Sequence, residues 1–520
     1  MLASTPSANT NCSGRQRWRI PEADVARVTT PATPDTSPPS KGRMTMRVAT
    51  TAAALWVVSA VHAGQPSAQS GAADPVAADL AVFRTQFLAR DASFSAEVRE
   101  QAERRLAALE KNRGPLSVLQ VHLELARIAA LADNGHTHVV IGRMAEAYGR
   151  IPVRVLPMGN DMVVVRAHQA HADLLGSRVV AIGTAPIARV QEEARALWGG
   201  VERFRDQFAY SLIESPAWLH ASGLIGTPTS ATYVFETRDG RRIERILEGE
   251  PPSSMRPTSP PGRTMAPALL PTEGGAWRTV LAPEKAPWAL QAFDDPFRWR
   301  LAPDVEGLVI QMRRNADAGD RTIAQALTAF RAALTQHRPR NLVLDFRWNG
   351  GGDLNTTRDF MKALPELVAG RIVVLTSPLT FSAAISSVGY LKQAAPNRVV
   401  IVGEPVGDRL VFFAEGRPVE LPQSRLLVAL ATERHDYQGG CRTVTDCHRA
   451  VVRHPIEVSS LAPDVPVSWS VDAYASGRDP FMDAAVRVLQ SAAPQVVSGW
   501  SDDSRRAPPS TDTNGSGRYR

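Results

Sequence analysis

Apolar residues recur at helical spacing through residues 76–132. Leu80, Phe83, Phe87 and Leu88 fall at i, i+3, i+7 and i+8. Val98, Ala102, Leu106 and Leu109 repeat the pattern behind Ser95, and Val118, Val121, Leu125 and Ile128 repeat it behind Ser117. Such a stripe buries against a neighbouring helix, and a serine ahead of the first turn accepts a bond from a free N–H. The pattern predicts three amphipathic helices packed as a small bundle over 76–135. They end at the polar turn Asp133-Asn134-Gly135.

From 150 to 250 the pattern switches to short β-branched runs. MVVVR and RVVAIG read as strands, and YVFETRDGRRIERIL as two strands turning at Asp239-Gly240. PIARVQEEARALW between them has a helical pattern. LLGSRVVAIGTAPIARV is reminiscent of the last part of a PDZ domain without its usual Gly-Asp, so 150–250 is a PDZ-like α+β segment. Residues 251–296 begin rich in Pro, Ser and Gly without periodicity, and read as a linker or lid.

Residues 297–496 alternate again. GLVIQM, NLVLDF, RIVVLT, RVVIVG and RLLVAL read as strands, with helices expected over 321–336, 355–368 and 383–394. Nearly continuous Val/Leu/Ile strands separated by helices predict a mostly parallel sheet covered on both faces, the α/β class. Residues 497–520 are rich in Ser, Pro, Asp and Arg and are expected to be disordered.

At 520 residues the chain exceeds one core, and two or three domains are expected. Its net charge is +7. Seven basic against three acidic residues in 1–63, and four against three in 498–520, leave +2 for the rest. The body carries no basic stripe, so nucleic acid is not an expected partner. No run of about 20 apolar residues could cross a bilayer as a mature helix.

The beginning of the chain has a pattern of its own. Residues 1–43 are expected to be a disordered leader or an over-extended start. MTMRVATTAAALWVVSAVHAG then supplies Arg47, an apolar run from Val48 to Val61 and the small residue Ala63. Those are the parts of a secretory signal peptide over 44–63, with translation starting at Met44 or Met46. A periplasmic or secreted protein is expected. Cys441 and Cys447, paired in GGCRTVTDC, could then close a small disulfide loop. No second cysteine pair completes a zinc site, although His435 and His448 lie near.

Three blocks carry candidate chemistry. In LDFRWNGGGDLN a buried strand gives way to Gly350-Gly351-Gly352, and such a turn can bare backbone N–H groups for an oxyanion or simply join strand to helix. The lysine of a phosphate-binding loop is missing. In RIVVLTSPLTFSAAISSVGYLK, Ser382 opens a helix, where free N–H groups favour negative charge. Ser382 could equally be only the helix cap. In LADNGHTHVV, His136 follows a Gly turn and could serve as a general base, with His138 as its competitor.

In combination, LVLDFRWNGGGDLN, TFSAA, VVIVGEPVGD, LPQSRLLVAL, APDVPV and YASGRDPFMDAAVRVL resemble the catalytic domain of the tail-specific (C-terminal processing) and tricorn peptidase family. LADNGHTHV resembles the Asp-Gly-His-Thr turn of its histidine-using members. The resemblance spans roughly 80–490 and is densest over 305–490. It implies a ClpP/crotonase-like core behind an N-terminal helical region, and serine-dependent cleavage of a peptide or protein substrate with no metal or other cofactor. By position it implies Ser382 as nucleophile, Gly350, Gly351 and Ala383 as oxyanion donors, and His136 as general base. Glu404 of Gly403-Glu404-Pro405 is the candidate to orient that histidine. Glu433 and Glu457 stand as alternatives, and Glu404 could instead partner Arg347.

The chain departs from the Ser–Lys branch of that family. Asp408 stands where the lysine would, and Arg409 stays protonated. A non-catalytic ligand-binding module on the same fold is the second reading.

Overall fold

The computed structural model describes residues 75–140, 148–250, 260–268, 270, 273–445 and 447–491. The expected leader 1–43, signal peptide 44–63 and tail 497–520 lie outside the described residues.

The main sheet has six strands in the order Val465–Pro466, Val399–Gly403, Ile372–Thr376, Asn341–Asp345, Gly307–Met312 and Phe297–Ala302. All neighbours run parallel except the last pair. Every residue of the three strands Asn341–Asp345, Ile372–Thr376 and Val399–Gly403 is buried.

Alternate residues of these strands enter two different cores. Ile310, Leu344, Val374 and Ile401 pack with Phe330, Phe360, Ile385 and Val388 from the helices Ile323–His337, Leu354–Ala363 and Ala383–Ala394. Val309, Val343, Val373 and Val402 pack with Phe481, Ala485 and Val488 of the helix Pro480–Gln490, and with Val163 and Val165. The strands are added in one direction along the sheet, and right-handed crossovers then place every connecting helix on one face. The other face is covered by the C-terminal helix and by the sheet of the 150–250 region.

RLLVAL does not join the main sheet. Its strand Leu427–Ala429 pairs antiparallel with His138–Val139 and with Val419–Glu420. A parallel neighbour needs a crossover segment, and the chain between Gly403 and Leu427 instead forms the strand Val411–Glu415, paired antiparallel with Ala431–Asp436. The small sheet of His138–Val139, Leu427–Ala429 and Val419–Glu420 ties the segment after His136 to the α/β body.

The helices begin where their caps stand. Ser95 accepts from the Val98 N–H ahead of Ala96–Asn112. Ser117 and Gln120 form a reciprocal box ahead of Val118–Ala130. Residues 150–250 make an antiparallel sheet, and Gly240, at φ 83°, turns Ser230–Glu236 into Arg242–Glu248.

The described part of the expected linker is packed rather than free. The Arg166 guanidinium is fully buried and donates to the carbonyls of Thr264, Ala266 and Ala268, while pairing with Glu273 at 2.5 Å. A polar anchor leaves no hydrophobic period, which is why the sequence pattern misses it.

Candidate active site

The parallel strands end on one edge, and the candidate residues collect there. The strand Ile372–Thr376 leads into a turn clamped to its neighbour. Thr380 Oγ1 donates to the Phe346 carbonyl at 2.9 Å, and the Phe381 N–H donates to the Asn349 carbonyl at 3.0 Å. Ser382 follows with φ 55° and ψ −126°. A side chain held in such a region costs about 1–3 kcal/mol and persists only where neighbours over-determine it. Its hydroxyl does not cap the helix Ala383–Ala394, so the capping reading of Ser382 is set aside.

The glycine turn lies against this serine. A Cβ on Gly351, at φ 96°, would come within 2.6 Å of the Ser382 Cβ and 2.9 Å of the Ala383 nitrogen. The turn is held by a buried amide relay. Asn349 Nδ2 donates to Asn315 Oδ1 at 2.8 Å, and Asn315 Nδ2 donates to the Ala383 carbonyl and to the Thr357 and Ser387 hydroxyls. Asn349 Oδ1 accepts the Gly351 N–H at 3.0 Å. Of the three expected oxyanion donors, Gly351 is therefore engaged. The N–H groups of Gly350 and Ala383 make no hydrogen bond among the described residues.

His136 is delivered by the turn after the helix Val118–Ala130. The Asn134 amide bonds both ways to the Phe413 backbone, and Asp133 pairs with Arg409 at 2.7 Å. The imidazole is sandwiched between Phe381, at 4.3 Å between ring centroids, and Phe412 at 5.4 Å. Phe381 is the residue before Ser382, so the stack sets His136 beside the turn that carries this serine.

The carboxylate facing His136 is Asp408, with Oδ2 3.7 Å from Nδ1. Its side chain is 1 % exposed. Asp408 Oδ2 and both ring nitrogens of His136 are buried without a hydrogen-bond partner. Leaving such groups unsatisfied is unfavourable, and three of them facing one site mark a place arranged for something other than stability.

The remaining candidates fall elsewhere. His138 Nδ1 lies 3.1 Å from the Gly135 carbonyl and its ring stacks on Trp198; burial pushes its pKa down to about 4. Glu404 borders a separate cavity together with Arg347, Trp348 and Ser377. Burial pushes its carboxyl up to about 7, Arg203 opposing and Asp206 adding to the shift. The carboxylate that faces His136 is thus Asp408, while the expected Glu404 lies at the other cavity. Arg347 is also not a partner of Glu404: it pairs with Asp345 and Asp479, each at 2.8 Å. Glu433 engages His448, and Glu457 engages Arg442. Lys392 donates to the Val399 carbonyl. Cys441 and Cys447 are joined in a disulfide.

Asp408 and Arg409 also line a cleft of about 820 Å³, closed on the far side by Pro157, Arg195 and Arg203 of the α+β region.

Solved structures similar to this chain include a photosystem II D1 C-terminal processing protease, at 15% identity and a TM-score of 0.36, covering 81% of this chain and 97% of that one. Protease names recur among them. Mature CPAF matches at 11% identity and a TM-score of 0.48 over 81% of this chain and 98% of that one. The tricorn protease matches at 14% and 0.31, over 79% of this chain and 36% of that one. No family model and no curated protein matches the chain. The functional reading therefore rests on the site's own residues.

Proposed function

We propose that the chain is an exported serine peptidase of the tail-specific and tricorn type, built on a ClpP/crotonase-like core over 297–496 with a PDZ-like segment. Ser382 is its nucleophile, His136 its general base and Asp408 the carboxylate that orients the base. The observation that carries this reading is the set of unpaired buried atoms on His136 and Asp408, with the His136 ring stacked on Phe381, the residue before a serine held at φ 55°.

The Asp408 carboxylate accepts Nδ1–H of His136 once the 3.7 Å gap closes, leaving the Nε2 lone pair to take the Ser382 proton. Apo sites commonly show such long contacts. The hydroxyl oxygen adds to a peptide carbonyl, and the N–H groups of Ala383 and Gly350 stabilise the resulting oxyanion. His136 then protonates the departing amine. Water, deprotonated by the same imidazole, hydrolyses the acyl-enzyme. The disulfide and the signal-type run support export, because such a bond persists in oxidising compartments.

A fluorophosphonate probe tests the chemistry. Wild-type protein should label, and Ser382→Ala should not. Labelling that survives Ser382→Ala places the nucleophile elsewhere. No labelling of a folded wild type favours a ligand-binding module.

A further inference from the structure

The aromatic stack that holds His136 continues beyond it. Phe412 also stacks on His435, at 4.9 Å, and His435 stacks on His448 at 5.2 Å. The peptidase reading uses neither of these two histidines. They belong to the strand Ala431–Asp436 and to the residue after Cys447.

The two imidazoles are arranged alike. Nδ1 of His448 lies 2.7 Å from a Glu433 carboxylate oxygen, and Nδ1 of His435 lies 3.0 Å from the Tyr437 hydroxyl. A carboxylate only accepts, so Nδ1 of His448 carries the proton. The Tyr437 hydroxyl bridges Nδ1 of His435 at 3.0 Å and Ser386 Oγ at 2.6 Å, and either oxygen of the second pair can donate. The Glu433 bond assigns a lone pair to Nε2 of neutral His448, and the Tyr437 hydroxyl serves His435 in either tautomer. An oxygen on the far nitrogen is the arrangement that aims metal-ligating histidines.

What His435 Nε2 faces is the second observation. The His435 side chain is 2 % exposed, and Nε2 makes no hydrogen bond. The Glu415 carboxylate stands 3.3 Å away and is, among the described residues, the one group facing this nitrogen that shifts its titration upward, against the burial that pushes it down. A ring nitrogen buried beside a carboxylate oxygen at 3.3 Å leaves both as ligand atoms that a cation between them would satisfy once Nε2 carries no proton.

We propose that Glu415, His435 and His448 bind a divalent first-row transition cation of the zinc type, with Glu433 and Tyr437 orienting the imidazoles. One donor atom from each lies within 4.8 Å of the others. Bonds of about 2.0–2.1 Å at tetrahedral angles place donors about 3.3 Å apart. The Glu415–His435 edge already has that length. The partly exposed His448 closes the remainder by turning out of its stack, on a backbone anchored by its own N–H to the Arg434 carbonyl and by the Cys441–Cys447 bridge. Two nitrogens and one oxygen suit zinc, with a fourth position left for water. The bound cation fixes His435 and, through Phe412, the wall against which His136 stands.

Metal titration of the full chain, stripped with a chelator and dialysed, tests this. Co²⁺ should bind at one equivalent with visible absorption, and Zn²⁺ should displace it. His448→Ala and Glu415→Ala should weaken binding by at least about tenfold, while His220→Ala, an exposed histidine on another helix, should not. Both ligand variants alter partly exposed side chains. As a second readout, Zn²⁺ should raise the melting temperature of wild type and not of the variants. Absence of saturable binding, or binding and metal-induced stabilisation retained in both variants, overturns the proposal. None of these readouts depends on the serine chemistry.

Discussion

Asp408 and Glu404 lie four residues apart on one loop, and their surroundings separate their roles. Asp408 turns toward His136. Asp408→Asn should keep the shape, remove the charge, let an amide N–H hold the wrong imidazole tautomer and lower kcat by about 10³- to 10⁴-fold with little change in KM. Glu404→Gln should leave kcat within a few-fold. Steady-state kinetics on a peptide substrate separates the two. Glu404 instead reports on stability. Its folded pKa, pushed up to about 7 by burial, means that the folded state holds a proton that the unfolded state releases at lower pH. Stability from this group is therefore lost as pH rises from the ordinary carboxylate range through about 7. The loss is at most about 3 kcal/mol, reduced by solvent reaching the cavity. Melting temperatures at pH 5 and pH 8 should converge in Glu404→Gln relative to wild type. Sequence spacing proposed Glu404 because it sits in the expected motif. The one visible hint of Asp408 was a carboxylate where a lysine was expected.

Three turns make the site, and each has a reason in its own segment. The glycine turn is closest to its limit. Gly351→Ala would set a methyl 2.6 Å from the Ser382 Cβ at φ 96°. The variant should lose fluorophosphonate labelling and about 2 kcal/mol or more of stability, read by chemical denaturation. The long buried strands and the helix stripes were legible because their periods are local properties of the chain. The strand Leu427–Ala429 was legible as a strand but its sheet was not, because its apolar run fits either sheet and only the lack of a crossover decides. The Glu415–His435–His448 cluster was equally hidden: Glu415 reaches the histidines through antiparallel strand pairing.

Across the whole molecule, buried charge fastens the C-terminal helix to the sheet. The Arg347 guanidinium, 1 % exposed, is shared between Asp345 at the end of its own strand and Asp479, which caps the helix Pro480–Gln490. The two carboxylates hold it protonated against the burial that opposes its charge. Asp479→Ala removes one carboxylate and a cap together, and should destabilise by about 3–5 kcal/mol in denaturant unfolding. The Cys441–Cys447 bridge closes a loop beside the same body. Reductant should lower stability by about 2 kcal/mol without abolishing Ser382 labelling.

The sequence by itself determined the periodicities, the helix caps at Ser95 and Ser117, and the nucleophile and imidazole candidates. These depend on neighbours a few residues away. The tertiary structure alone decided that Asp408 faces His136, that Gly351 packs against Ser382 and that Phe381 and Phe412 enclose the imidazole. Those pairings join residues up to 276 positions apart through packing and burial, and no local pattern encodes which buried atoms are left without partners.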